Sequence, residues 1–236
     1  MVFILASSFN SNEQDAEGNR FAVAMPDGFI ADIRRYAKKF DNLVYVCSDP
    51  DLHDVTDYRG GLIFESLELS GLKFKNKVIL DGRNKDKAAE LIKNADMVML
   101  AGGRPDIQMR FLNEIGLKDL LVKSNVLVVG ASAGAMSLCS TFFCFPESLE
   151  DFREDNNYFF SGMGFYDKLI IPHFDGANRR YSKESDIDVF AHILKLGAGR
   201  EFVAYDDDSY IVVDGGDIRY VGDFYTIKDG KVEEIR

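Results

Sequence analysis

Short apolar runs alternate with longer amphipathic stretches from the N-terminus to Val129. Val2 to Ser7, Leu43 to Ser48, Lys77 to Asp81, Met97 to Ala101 and Val126 to Val129 are the runs, and each predicts a strand. Asp27 to Phe40 carries Phe29, Ile30, Ile33 and Ala37 on a helical period. Asp54 to Leu72 also has helical spacing, weakened by Gly60-Gly61. Asn84 suits the cap of a helix through Ala88, Ala89, Leu91 and Ile92, and Pro105 the first turn of another that runs to about Lys123. Strands without a polar face, such as Met-Val-Met-Leu and Val-Leu-Val-Val, bury both sides. Their alternation with helices predicts an α/β fold around a mostly parallel sheet.

The last third has a different pattern. Lys168 to Ile171 predicts a strand that ends in Pro172-His173-Phe174, and Glu184 to Lys195 a helix with Ile187, Phe190, Ala191 and Leu194 on one face. Phe202 to Tyr205, Tyr210 to Val213, Ile218 to Tyr220 and Phe224 to Ile227 are closely spaced short runs, which predict C-terminal hairpins. Neither a repeat nor a linker rich in Pro, Gly or Ser divides the chain, so residues 1–236 are expected to form one domain.

Composition narrows the function classes. With 46% hydrophobic and 28% charged residues, the 236-residue chain has globular rather than disordered composition. A net charge of −11 argues against nucleic acid or an anionic membrane as partner, since both need positive surface. The first apolar run is short for a leader and lacks a basic flank, and no run reaches membrane-spanning length. Cys47, Cys139 and Cys144 are odd in number and unevenly spaced, which suits buried thiols in a reducing compartment better than disulfides. A cytoplasmic location is therefore expected. His53, His173 and His192 lie far apart, so no metal site is expected.

The most specific chemical signal is Gly130-Ala131-Ser132-Ala133-Gly134, a match to G-x-S-x-G directly after a predicted strand. Small residues are needed there because the serine sits on a sharp strand-to-helix turn. Such a turn exposes the Ser132 hydroxyl at a strand's carboxyl end and aims the Ala133 N–H at a developing oxyanion. A serine hydroxyl needs a base. His53 reads as a loop or capping residue and His192 as part of an amphipathic helix. His173 follows a buried strand, at the sheet edge where α/β ligand sites form. The imidazole in turn needs a carboxylate, for which Asp206, Asp207, Asp208 and Glu147 are candidates and Asp175 a weaker local one. Gly102-Gly103, at the tip of the neighbouring strand, is placed to offer a second oxyanion donor. Arg104, Arg179 and Arg180 lie near the same edge, where they can clamp a substrate carboxylate.

Taken in order, these segments resemble the dipeptidase E and cyanophycinase family of serine peptidases. The resemblance rests on Gly102-Gly103 with Gln108 shortly after, on Ser132 to Ala135, and on Pro172-His173-Phe174 followed by Arg179 and Arg180. Asp206-Asp207-Asp208-Ser209 ahead of Ile211-Val212-Val213 is similar to the family's acidic segment. The resemblance implies a class I glutamine-amidotransferase-like three-layer sandwich with Ser132 as nucleophile and His173 as base. It further implies Gly103 and Ala133 as oxyanion donors, Gly102 and Gln108 at the substrate, and either Asp207 or Glu147 as third member. The chain departs from the family pattern at Ala101, Arg104-Pro105 and Met136, positions that shape the pocket.

The expected activity is hydrolysis of short peptides through an acyl-enzyme on Ser132, with dipeptides bearing an N-terminal aspartate as the narrower case. No cofactor is expected, and the protein is expected to act as a monomer or homodimer. An α/β-hydrolase esterase shares G-x-S-x-G, but in that fold the histidine normally lies near the C-terminus, and none follows His192 here. A binding module that kept the turn without catalysis is the remaining alternative.

Overall fold

A computed structural model describes residues 1–144, 151, 153, 156–176, 180–181, 189–196 and 199–235. The first half runs β1 (Val2–Ala6), β2 (Asn12–Gln14), β3 (Arg20–Ala22), α1 (Asp27–Tyr36), β4 (Asn42–Val46), α2 (His53–Leu69), β5 (Asn76–Leu80), α3 (Ala88–Asn94) and β6 (Met97–Leu100). It continues through α4 (Pro105–Glu114), α5 (Leu117–Ser124), β7 (Leu127–Ala131), α6 (Ala133–Leu138) and β8 (Thr141–Phe143). The remainder comprises β9 (Phe159–Ser161), β10 (Leu169–Ile171), β11 (Phe174–Asp175), β12 (Arg180–Tyr181), α7 (Val189–Leu196), β13 (Glu201–Tyr205), β14 (Tyr210–Asp214), β15 (Asp217–Val221), β16 (Phe224–Lys228) and β17 (Lys231–Ile235).

The central sheet has seven strands in the order β15-β14-β1-β7-β6-β4-β5. From β1 to β5 the pairs are parallel, while β14 runs antiparallel to β1 and β15 antiparallel to β14. Strand side chains alternate between faces, and here both faces are buried. Phe3, Leu5, Val98, Leu100 and Val128 join one core with α3 to α6. Ile4, Ala6, Met97, Met99, Leu127 and Val129 join the other with α1 and α2. This is why the strands read as unbroken apolar runs, and it makes the fold an α/β three-layer sandwich. Among the described residues no helix is long and apolar enough to cross a membrane.

Several details refine or differ from the sequence expectation. The stretch from Pro105 to Lys123 is two helices, because Gly116 takes the left-handed conformation (φ 64°) that ends α4. Helix α2 runs through Gly60-Gly61, with Gly60 buried against the sheet. The β2–β3 hairpin has no apolar alternation to announce it and is pinned by its turn, where Asp15 Oδ1 accepts from the Glu17 and Asn19 N–H groups. The C-terminal hairpins divide between two sheets. β14–β15 extends the central one, while β16–β17 joins β13 and β10 in a four-stranded sheet. The predicted helix from Glu184 is described only from Val189 onward.

Packing is close where β7 turns into α6. A side chain at Gly130 would come within 2.6 Å of the Gly134 carbonyl group, and one at Gly134 would collide with the Leu100 carbonyl. Gly134→Ala should therefore destabilise the protein by about 1–3 kcal/mol, the usual range for overpacking. A urea titration checks this. A midpoint equal to wild type would mean that the β6–α6 contact is looser than described.

Candidate active site

The carboxyl ends of β1, β4, β6 and β7 point to one edge of the central sheet, and the residues that follow them build a single cleft. After β7 the chain turns at Ser132, whose φ of 49° and ψ of −112° are a strained combination for a residue with a side chain. The turn is held from both sides. Ser132 N–H donates to the Ala6 carbonyl at 3.0 Å, and the Ser132 carbonyl accepts from Met136 N–H at 2.9 Å. As the first residue of α6, Ala133 has an N–H without an intrahelical acceptor. Gly102 lies directly against the serine, since a side chain there would meet Ser132 Cβ at 3.5 Å. Gly103 has a φ of 151°, and a Cβ on it would strike Ser48 Oγ at 2.5 Å, so this strand tip needs glycine.

Gln108 does not reach the cleft. It is fully buried below the strand tip, where Nε2 donates to the Ala101 carbonyl at 2.9 Å and lies 3.4 Å from that of Cys47. The Ser137 hydroxyl sits between Gln108 Oε1 at 3.3 Å and the Ala133 carbonyl at 2.9 Å. The expectation of a substrate contact is corrected accordingly: Gln108 ties β4, β6 and α6 together from beneath the turn.

His173 follows β10 and Pro172 with a φ of 57°, again in the left-handed region. Its Nδ1 lies 2.7 Å from Asp207 Oδ1. This distance separates the three consecutive aspartates. Asp206 turns away and accepts from Gly176 N–H at 3.0 Å, while Asp208 takes the left-handed turn position (φ 72°) and is exposed. A hydrogen bond from His173 is the main cause that holds the Asp207 carboxyl below its usual range; partial burial opposes it, and Ser7 adds to it. Burial pushes Asp206 in the opposite direction.

Ser7 was not foreseen. It directly follows β1, is fully buried and makes three connections. Its hydroxyl accepts from His173 N–H at 2.7 Å and donates to Asp207 Oδ1 at 2.9 Å, and its own N–H donates to the Ser209 carbonyl at 3.0 Å. One small residue thus fixes both the histidine backbone and its carboxylate partner. The only trace in the sequence is a polar residue at the end of an apolar strand.

Ser132, His173, Asp207, Ser7, Gly102, Gly103 and Arg104 all line one cleft of about 990 Å³. Arg104 also makes a two-point pair with Asp106, at 3.0 Å and 3.1 Å. Glu147 and Arg179 lie outside the described residues. Arg180 is placed by its backbone, opposite Asp175 in the β11–β12 pair. His53 starts α2 away from the cleft lining, and His192 lies on α7. The three cysteines are free and buried, and burial pushes the Cys47 thiol up to about 12 and that of Cys144 up to about 11.

The model of peptidase family S51 matches residues 62–221, a span that contains Ser132, His173 and Asp207. The chain belongs to peptidase family S51. This agrees with the dipeptidase E resemblance read from the sequence. A search of solved structures finds a similar fold in the 1.5 Å crystal structure of a "Putative Peptidase E Protein" from Listeria monocytogenes EGD-e. The TM-score is 0.61 at 14% identity, with 94% of this chain and 98% of that chain covered. At that identity the match speaks for the fold. No curated protein matches the chain. Within the S51 segment, the G-x-S-x-G turn and the His173–Asp207 pair lie on different sheets and open onto a common cleft.

Because the Asp207 carboxyl is held below its usual range, its contribution to stability is fully present above the unfolded-state value of about 3.9. It is lost as the pH falls through the lower native value. Denaturant titrations of wild type and Asp207→Asn should therefore differ at neutral pH and converge in acid. A gap that widens on acidification would contradict the assignment.

Proposed function

We propose that the protein is a serine peptidase of short peptides in which Ser132 attacks the scissile carbonyl. His173 takes the serine proton and later delivers it to the leaving amine, and water then hydrolyses the acyl-enzyme. Asp207 is the third member. The observation that carries the reading is the 2.7 Å His173–Asp207 contact at the mouth of the cleft that Ser132 lines. In this scheme the carboxylate at Nδ1 orients the ring so that Nε2 serves the serine, and it stabilises the imidazolium formed on proton transfer. The N–H groups of Gly103 and Ala133 are the proposed oxyanion donors.

Ser7 acts through its neighbours in this scheme. It positions the His173 backbone and fixes the Asp207 oxygen that faces the ring. Arg104 is the proposed carboxylate contact at the cleft, joined by Arg179 and Arg180 as sequence candidates. Cleavage after an N-terminal aspartate remains the narrower reading, supported by the family and by arginine at the cleft. Three cysteines outside any disulfide support a reducing compartment such as the cytoplasm.

Ser132→Ala should lower peptide hydrolysis by a factor on the order of 10⁶ with an unchanged circular dichroism spectrum. A fluorophosphonate should label the wild type and not the variant. Retained turnover in folded Ser132→Ala protein refutes the nucleophile. Ser7→Ala should lower kcat roughly tenfold, about the worth of one hydrogen bond, with KM little changed and Ser7→Thr restoring much of the loss. Equal kcat in all three proteins would remove Ser7 from the machinery.

A further inference from the structure

The cleft has one wall that the peptidase reading leaves unexplained. Helix α2 turns Thr56, Gly60, Ile63 and Leu67 into the core. Its other stripe begins at Leu52, just ahead of the helix, and continues through Val55, Arg59 and Leu62 at helical spacing, all lining the cleft, with Tyr58 beside it. Leu52 is 53% exposed, Val55 42% and Tyr58 51%, an unusual concentration of large apolar side chains in contact with water. The wall is braced, because the Tyr58 hydroxyl donates to the Arg20 carbonyl at 3.2 Å and so ties α2 to the β2–β3 hairpin.

Charge on the same wall narrows the occupant. Arg20 and Arg59 line the cleft together with Asp49, two cations against one carboxylate, and among the described residues neither guanidinium is in an ion pair; Arg20 Nη1 meets Asn12 Oδ1 at 3.3 Å, and Asp49 Oδ1 accepts from Asp51 N–H at 3.1 Å. Two guanidiniums repel the α-ammonium of an N-terminal residue and attract a carboxylate. Within a short peptide, an apolar side chain and a carboxylate occur on the same residue only at the C-terminus.

We propose that the α2 stripe is the subsite for the C-terminal residue of the substrate, and that it selects peptides whose leaving residue is a bulky apolar amino acid with a free carboxylate. This rests on the peptidase reading and adds the side of the scissile bond that α2 serves. Leu52 and Val55 supply the apolar contact, while Arg59 and Arg20 hold the carboxylate.

The test uses full-length protein and two dipeptide series, Ala-X and Asp-X, in which X is Gly, Leu or Phe, with the Leu peptides also made as C-terminal amides. Wild type should favour Leu and Phe over Gly by about tenfold or more in kcat/KM, the scale at which an apolar pocket discriminates. Leu52→Ser combined with Val55→Ser should bring that ratio to within about threefold. Both positions are exposed, so the fold should be kept. Arg59→Gln should narrow the gap between the free acid and the amide. Calorimetric binding of the same peptides to Ser132→Ala protein reads the wall without hydrolysis. If wild type cleaves no peptide but the Ser132→Ala protein binds Ala-Leu more tightly than Ala-Gly, the subsite stands and the peptidase reading falls. Equal rates for Leu and Gly in wild type overturn the subsite, as does an equal loss on all substrates in the double variant. A change of oligomeric state in that variant with the Leu preference intact also overturns it, and would assign the wall to contacts between copies of the chain.

Discussion

The hydroxyl of Ser7 is the point on which the site depends. Two sheets meet there: β1 is a central strand of the seven-stranded sheet, whereas His173 and Asp207 follow β10 and β13 of the four-stranded one. Hydrogen bonds that span two sheets keep their strength only if the relative position of the sheets is fixed. Ser7 accepts from one partner and donates to the other, so a single buried oxygen satisfies both groups. Its backbone N–H meanwhile pairs with Ser209, beyond the acidic turn. Ser132 is anchored to the same strand, since its N–H donates to the Ala6 carbonyl. Consecutive residues at the end of β1 thus register both halves of the site.

Strain is concentrated at this edge. Ser132 and His173 both hold positive φ, a conformation that costs roughly 1–3 kcal/mol each unless the surroundings enforce it. The surroundings do so through close packing at Gly130 and Gly134 and through the hydrogen bonds at the end of β1. The serine is held proud of the strand, and the imidazole is held with one nitrogen engaged. Each conformation is fixed by surrounding groups, which is the preorganisation that the proposed chemistry needs.

Legibility in the sequence followed the range of the interactions. The parallel sheet was readable because burial on both faces leaves unbroken apolar runs. The Ser132 turn was readable because its glycines are required by contacts within a few residues. His173 could be singled out from His53 and His192 by its place after a buried strand. The choice among three adjacent aspartates was not readable: it depends on the left-handed turn at Asp208, which rotates Asp207 toward the ring and Asp206 toward Gly176. Ser7 was invisible for a related reason, as its partners are distant in sequence. Gln108 misled because a polar residue on a helix near a glycine turn looks like a ligand contact, whereas here it satisfies buried carbonyls. The break at Gly116 and the polar β2–β3 hairpin likewise turn on local geometry that hydrophobic period does not report.

Net charge and site charge diverge, and the divergence matters for what the cleft can hold. At −11 the chain as a whole repels anions. At physiological ionic strength, however, exposed charges are screened beyond about 8 Å, so a bound group responds mainly to the charges that line its own cleft. There the Asp207 carboxylate is engaged by His173, while Arg104 is paired with Asp106. Arg20, Arg59 and Asp49 also line the cleft, two cations against one carboxylate. A short peptide is itself a dipole, positive at its N-terminus and negative at its C-terminus. In the proposed subsite that excess of positive charge favours the direction of binding that brings the peptide carboxylate toward Arg20 and Arg59. Whole-chain charge opposes polyanionic partners, whereas in the proposed subsite the orientation of a small zwitterion follows from the excess of guanidinium over carboxylate and from the apolar stripe on α2.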